Sequence, residues 1–285
     1  MNSVWIVMPI LIVLMFLLGI ELRKEAFTGI AKNPKGVFLG LSGQIVLLPL
    51  LAFGVAWFLE LPPEYFMGLL LVACCPGGSS SNVFSMLARG NVALSVTLTA
   101  VSSVVTLFTL PVIIEFASRF LTNEAGVDIN LPVGKLLVQN LVLLIVPMVL
   151  GALFKRYFNA MAIKVSGVLS KLAFPALMLL ALVFFLQYTQ EIMDNFTVLG
   201  SAVVMLILSA MLCSSILSKI SRLDGASRRT IVIEVGMQNA AQAIAIATSP
   251  FIFNSGKMAL PAIIYALMMN VILLVYVYIS KKRNQ

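Results

Sequence analysis

Glu234 is the one acidic residue set deep inside an apolar run; the other carboxylates, from Glu21 to Asp224, fall in loops or near the ends of such runs. An ionisable group at that depth costs about 2.5 to 3.5 kcal/mol on insertion scales, so it marks an ion pathway or site, or else sits protonated against a neighbouring helix. The other deeply placed polar residues are few and rich in oxygen: Gln44, the run Ser79-Ser80-Ser81-Asn82, Ser95, Thr99, and the stretch Gln238-Asn239 with Gln242 one turn on. Hard cations exchange their water for carboxylate, carbonyl and hydroxyl oxygens. The chemistry this inventory supports is therefore coordination of an alkali cation. It does not support catalysis: the chain has no histidine, Ser79 to Ser81 have no adjacent base in their run, and Cys74, Cys75 and Cys213 lie in apolar stretches where a thiol packs as a small hydrophobe.

Two interruptions position these residues. Cys75-Pro76-Gly77-Gly78-Ser79-Ser80-Ser81-Asn82 divides one apolar run: proline removes a donor and paired glycines disfavour helix, so the helix should unwind and restart with Ser79 or Ser80 as its cap. Glu234-Val235-Gly236-Met237-Gln238-Asn239 divides another, with the restart expected at Asn239-Ala240. Unwound backbone at that depth is tolerated only when buried in protein or lining a wet cavity, and each restart offers free N–H groups to an anion. Ser95, Thr99, Ser102 and Thr106 share one helical face. Ser102 and Thr106 fit ordinary bonding to their own helix. Ser95 and Thr99 are expected at the site, because the tight Arg89-Gly90-Asn91 turn folds them back beside Ser81 and Asn82.

Sixty-one per cent of the 285 residues are hydrophobic and 11% are charged, which excludes a soluble fold. Spans of about 20 apolar residues cross ~30 Å of hydrocarbon, and nine are expected, near 3–20, 36–58, 66–88, 91–118, 132–154, 165–187, 197–218, 227–253 and 256–279. The first lacks a basic leader and a cleavage site and is expected to be a permanent helix. With alternate loops on opposite sides, sixteen of the nineteen basic residues share one side. That bias puts the C-terminus in the cytoplasm and the N-terminus outside the cell (inner) membrane, and explains the net charge of +8 without nucleic acid.

Gly90-Asn91-Val92-Ala93-Leu94-Ser95 returns loosely as Gly256-Lys257-Met258-Ala259-Leu260-Pro261, each copy following an interrupted span, and the two copies run in opposite directions. Inverted repeats with interrupted helices in matching places point to a secondary transporter with its site near the midplane. At this point PGGSSSNVFSMLARGNVALSVTLTAVSS and EVGMQNAAQAIAIA closely resemble the bile acid:sodium symporter (BASS) family, over nearly the whole chain. The resemblance implies an all-α polytopic membrane protein with two crossing discontinuous helices. Its single domain, 1–285, divides into inverted halves at 1–131 (spans 1 to 4) and 132–285 (spans 5 to 9); spans 2, 3, 4, 7, 8 and 9 form a core and spans 1, 5 and 6 a panel that moves against it. It also implies two sodium sites. One would use Ser81, Asn82, Ser95, Thr99 and Glu234, the other Gln44, Glu234, Gln238 and the carbonyls of Val235 and Met237.

Ser79, Ser80, Asn239 and Asn270 would face the substrate, an organic anion: bile acid-like, pantoate-like or a 2-oxo acid. Against family members that commonly have ten spans, the chain is expected to be of the nine-span type that lacks the first helix, and it reads Met268-Met269-Asn270 where some relatives carry aromatic and histidine residues. The expected function is sodium-coupled symport by alternating access, with sodium, an organic anion and the bilayer as partners, and a monomer compatible with this. The alternative is a proton-coupled organic anion transporter or exchanger with Glu234 as the proton carrier.

Overall fold

The computed structural model describes residues 24–78, 80–125, 145–187, 189–249 and 252–282, together with positions 9, 12, 13, 15–17, 19, 20 and 142. Among these residues every element is helical. In chain order they are α1 (Lys24–Lys32), α2 (Pro34–Ser42), a π-helical turn (Gly43–Leu47), α3 (Leu48–Phe58), α4 (Pro63–Cys74), α5 (Ser81–Leu87), α6 (Val92–Ala125), α7 (Val146–Tyr157), α8 (Asn159–Gln187), α9 (Thr189–Ile220), α10 (Gly225–Gly236), α11 (Ala240–Thr248), a 3₁₀ turn (Lys257–Ala259) and α12 (Leu260–Lys282).

Four helical stretches among the described residues are long and apolar enough to cross a bilayer unbroken: Pro34–Phe58, Val92–Leu121, Thr189–Ile220 and Lys257–Lys282. They correspond to the expected second, fourth, seventh and ninth spans. The expected third and eighth spans are absent from that group because each is cut in its middle, into α4 with α5 and α10 with α11. The expected sixth lies within the 29-residue α8. Much of the first and fifth lies outside the described residues.

The restarts differ slightly from expectation. α5 begins at Ser81, with Ser80 in the cap position but in helical dihedrals and making no capping bond; Ser79 lies outside the described residues. α10 keeps Glu234, Val235 and Gly236 helical, so its break is confined to Met237, Gln238 and Asn239. Asn239 does cap α11, its Oδ1 accepting from the Gln242 amide at 3.1 Å.

The π-helical turn in the second span follows from Pro49, which lacks the amide that would close the preceding helical turn. The Leu48 amide reaches back five residues to the Gly43 carbonyl, inserting a π-bulge of the kind found at functional sites. This turn carries Gln44.

The broken helices occupy the centre. α4 packs on α3, α6, α11 and α12; α10 packs on α2, α5, α6 and α9; α9 in turn packs on α3 and α12. Leu69 to Ala73 on α4 and Ile231 to Gln238 on and after α10 are buried. Association inside a bilayer rests on close packing and interhelical hydrogen bonds rather than on water exclusion, which matches a centre that also buries Gln44, Ser81, Ser95, Glu234 and Gln238. α7 and α8 pack on each other, and α8 meets α9.

Asp224 starts α10. Its Oδ1 accepts from the amides of Ala226 and Ser227, both at 3.0 Å, and the bonds from Ser227 hold its carboxyl below the ordinary carboxylate range. A carboxyl lowered on folding contributes stability that is present above its unfolded value and lost as pH falls through the folded one. Asp224→Ala should therefore cost about 1 kcal/mol at neutral pH, and that difference should shrink on acidification below the usual carboxylate range. Asp224→Asn, which still caps, should stay near wild type; melting curves across pH check both.

Candidate functional site

The two breaks cross and complete each other. The Asn239 amide donates to the Pro76 carbonyl at 2.8 Å, the Gly78 amide to the Met237 carbonyl at 3.0 Å, and Gly77 and Gln238 pair as an antiparallel bridge. Each break strips its helix of backbone bonds, and such groups cost several kcal/mol if left bare in hydrocarbon. Here each strand's orphans are satisfied by the other. Further support comes from Ser102, whose Oγ accepts from the Gly77 amide at 3.4 Å, and from fully buried Tyr265, whose hydroxyl donates to the Gly236 carbonyl at 3.1 Å.

Glu234 stands beside this crossing with no solvent exposure. Three hydroxyls converge on its carboxylate: Ser81 donates to Oε1 at 2.6 Å, Ser95 also donates to Oε1, and Thr99 donates to Oε2 at 3.2 Å. Ser81 and Thr99 are within 3.4 Å of each other. α5, α6 and α10 thus deliver one oxygen set, because the turn at Arg89, in left-handed dihedrals (φ 54°), folds α6 back along α5. Thr106 bonds its own helix, donating to the Ser102 carbonyl at 2.7 Å. Ser102 also donates to its own helix, at the Thr99 carbonyl, while serving the break.

Behind the carboxylate lie two amides. Gln44 Nε2 donates to the Glu234 carbonyl at 2.9 Å, and Gln238 Nε2 donates to the carbonyls of Glu234 and Val235 at 3.2 and 3.0 Å. The Oε1 atoms of both glutamines are buried and have no hydrogen-bond partner. Buried acceptors are normally satisfied. Two amide oxygens are thus left bare on side chains that clasp the backbone of Glu234 and Val235. The Val235 and Met237 carbonyls each accept one bond and retain a second lone pair.

Among the described residues the ion pairs are Arg119 with Glu115 and Lys257 with Glu191, so no basic side chain neutralises Glu234. Nor do they hold any cluster of three His, Cys, Asp or Glu. Divalent sites in proteins gather several carboxylates; one carboxylate among neutral oxygens matches monovalent charge.

The remaining expected residues are less tightly drawn in. Asn82 follows Ser81 on the first turn of α5 and is half-buried. Ser80 is exposed, with its Oγ 3.5 Å from the Met237 sulfur. Asn270 is half-buried and bonds its own helix at the Ala266 carbonyl, 2.7 Å away; no hydrogen bond carries it to the crossing. Tyr265 and the Gly77 role of Ser102 escaped the sequence reading. A hydroxyl on a phenol deep in an apolar span was the available signal for Tyr265.

Crossed broken helices around a carboxylate buried without a basic partner among the described residues, together with long apolar helices, define a multi-pass helical membrane protein. The chain belongs to the sodium bile acid symporter family, whose model matches residues 8–195; its members are transporters, not enzymes, and depend on sodium. It is 36% identical over 235 residues to a probable sodium/metabolite cotransporter of the chloroplast, BASS1 of Arabidopsis thaliana, covering 82% of this chain and 57% of that protein. It is 30% identical over 259 residues to a sodium-dependent transporter of Bacillus subtilis, YocS, covering 90% and 77%. Human P3 protein is 30% identical over 249 residues, covering 85% and 50%. The chain therefore spans little more than half the length of the plant relative.

A Cβ on Gly77 would stand 2.7 Å from Gln44 Nε2 and 3.0 Å from Glu234 Oε2, whereas one on Gly54 would meet nothing within 4 Å. Gly77→Ala should thus lower stability by about 1 to 3 kcal/mol through overpacking, while Gly54→Ala on α3 should be neutral or mildly stabilising. Thermal melts of the two purified variants check this.

Proposed function

We propose that this protein is a sodium-coupled symporter of an organic anion working by alternating access. The observation that carries the reading is Glu234: fully buried, unpaired by any basic residue among those described, and surrounded by hydroxyls on one side and two bare amide oxygens on the other. Sodium supplies the missing positive charge. One ion takes Ser81, Asn82, Ser95, Thr99 and Glu234; a second takes Gln44, Gln238, Glu234 and the carbonyls of Val235 and Met237. Because the first set joins Ser81 and Asn82 of α5 to Glu234 of α10, its ion ties the two broken helices together.

The anion then binds at the joined restarts, received by Ser79, Ser80 and Asn239, with the first turn of α11 contributing its amides, and by Asn270 from α12. Its class is a carboxylate, bile acid-like, pantoate-like or a 2-oxo acid. Sodium comes first in this scheme, since the anion site is assembled only when the crossing is locked. With two sodium ions per monoanion one net charge enters per cycle, and each 100 mV contributes about 2.3 kcal/mol to accumulation.

Nine spans in an inverted four-plus-five arrangement complete the reading, supported by the matched positions of the two breaks, each of which precedes a short half-helix and then a long helix. The exchange of partners supports it too: α4 lies on α12, and α10 lies on α6. The first, fifth and sixth spans form the moving panel, in line with α7 and α8 packing on each other. The basic residues gathered on one side support a cytoplasmic C-terminus.

Glu234→Ala should reduce sodium-driven uptake into proteoliposomes to background and erase sodium-specific thermal stabilisation, because both ions lose a ligand. Uptake that survives this change, or that follows an imposed pH gradient without sodium, would contradict the proposal. Gln44→Ala touches one ion only and should raise half-saturating sodium by about tenfold with transport retained. Uptake titrated against sodium in both variants separates these outcomes.

A further inference from the structure

α10 ends at Gly236, six residues beyond Thr230, and its register against α6 is set one turn below Glu234. The Asn91 amide donates to Thr230 Oγ1 at 2.8 Å, and the Thr230 hydroxyl donates to the Asn91 carbonyl at 3.2 Å. Asn91 N also lies 3.4 Å from the Ala226 carbonyl, and Arg229 Nη2 donates to the Arg89 carbonyl at 2.6 Å. Thr230 is fully buried. The steps from Thr230 to Glu234 and from Asn91 to Ser95 are both four residues, one helical turn on the same face. Thr230 with Asn91, then Glu234 with Ser95, form successive rungs between two helices packed side by side. Gly90 lets the helices come this near: a Cβ there would stand 2.6 Å from Thr230 Oγ1 and 3.0 Å from the Ser85 carbonyl.

We infer that Thr230 is a positioning residue for cation binding: its pair of hydrogen bonds with the Asn91 backbone is a latch that holds α10 in the register at which Glu234 meets Ser81, Ser95 and Thr99. A slip of one residue along α10 moves a side chain by about 1.5 Å in rise and 100° in azimuth, which takes the carboxylate away from all three hydroxyls. Beyond Gly236 no helical backbone continues to resist such a slip, so the restraint comes from below. The latch uses the hydroxyl as both acceptor and donor. Valine fills the same volume and does neither.

This inference rests on the sodium reading of Glu234, and the test keeps the two apart. Purified wild type, Thr230→Val, Thr230→Ser and Gly90→Ala are titrated with sodium in place of potassium at constant ionic strength, with melting temperature as the signal. Thr230→Val and Gly90→Ala should raise the sodium midpoint about three- to tenfold, and Thr230→Ser should restore it. A general loss of stability would lower melting in potassium and leave the midpoint alone. Wild-type midpoints in both Thr230→Val and Gly90→Ala would overturn the latch. Should the wild type gain nothing specific from sodium, the sodium reading falls instead. Amide hydrogen exchange across 230–236 then decides: the latch requires faster exchange in Thr230→Val but not in Thr230→Ser, and equal exchange in the two overturns it.

Discussion

A backbone that stops being helical inside a bilayer must find new partners for its amides and carbonyls, because hydrocarbon offers none. In this protein two such interruptions find each other. Asn239 pairs with Pro76 and Gly78 with Met237, so neither α4–α5 nor α10–α11 could hold its shape without the other. That mutual dependence explains why so much of the centre is polar yet closed. Ser102 and Tyr265 serve the residual backbone groups, and Gln44 and Gln238 clasp the last carbonyls of α10.

Among the described residues the carboxylate of Glu234 sits within this arrangement without a basic partner. A buried charge is ordinarily paired or neutralised by a proton, and fixed pairing with lysine or arginine would leave nothing for transport to modulate. A mobile cation as that partner, as proposed, would make occupancy depend on the ion gradient. On the proposed sodium reading the ligands come from α5, α6 and α10 on one side and from the π-helical turn and the second break on the other, so an ion would tie together the pieces that the breaks separate. Coupling then needs no long pathway: the ion's presence is felt at the restarts a few residues away.

Much of this was legible in the residue types. Pro76-Gly77-Gly78 and the lone Glu234 marked both breaks and the charged centre, and the Arg89–Asn91 turn correctly separated Ser95 and Thr99, which reach the carboxylate, from Thr106, which bonds its own helix. What escaped is instructive. Gln44 was given a partner only by the family resemblance, because a π-helical turn, generated by Pro49 farther along, decides its aim. Ser102 was assigned to its own helix, yet it also accepts from Gly77, a partner 25 residues away that only the fold supplies. Ser80 carries the right side chain for a cap but sits in helical dihedrals and makes none. Asn270 shares a helix with Tyr265, but its own hydrogen bond stays local. Local composition announces where helix fails; which atoms meet across the failure depends on register between distant segments.

The central claim is that Glu234 is held as a carboxylate by sodium at the crossing. Infrared difference spectra, recorded while sodium replaces potassium around the reconstituted protein, address it directly. The account predicts a sodium-induced change in the carboxylate stretching bands that is absent from Glu234→Gln, with no protonated carboxyl band assignable to Glu234 at saturating sodium. A protonated carboxyl band that persists in sodium and vanishes in Glu234→Gln would contradict it.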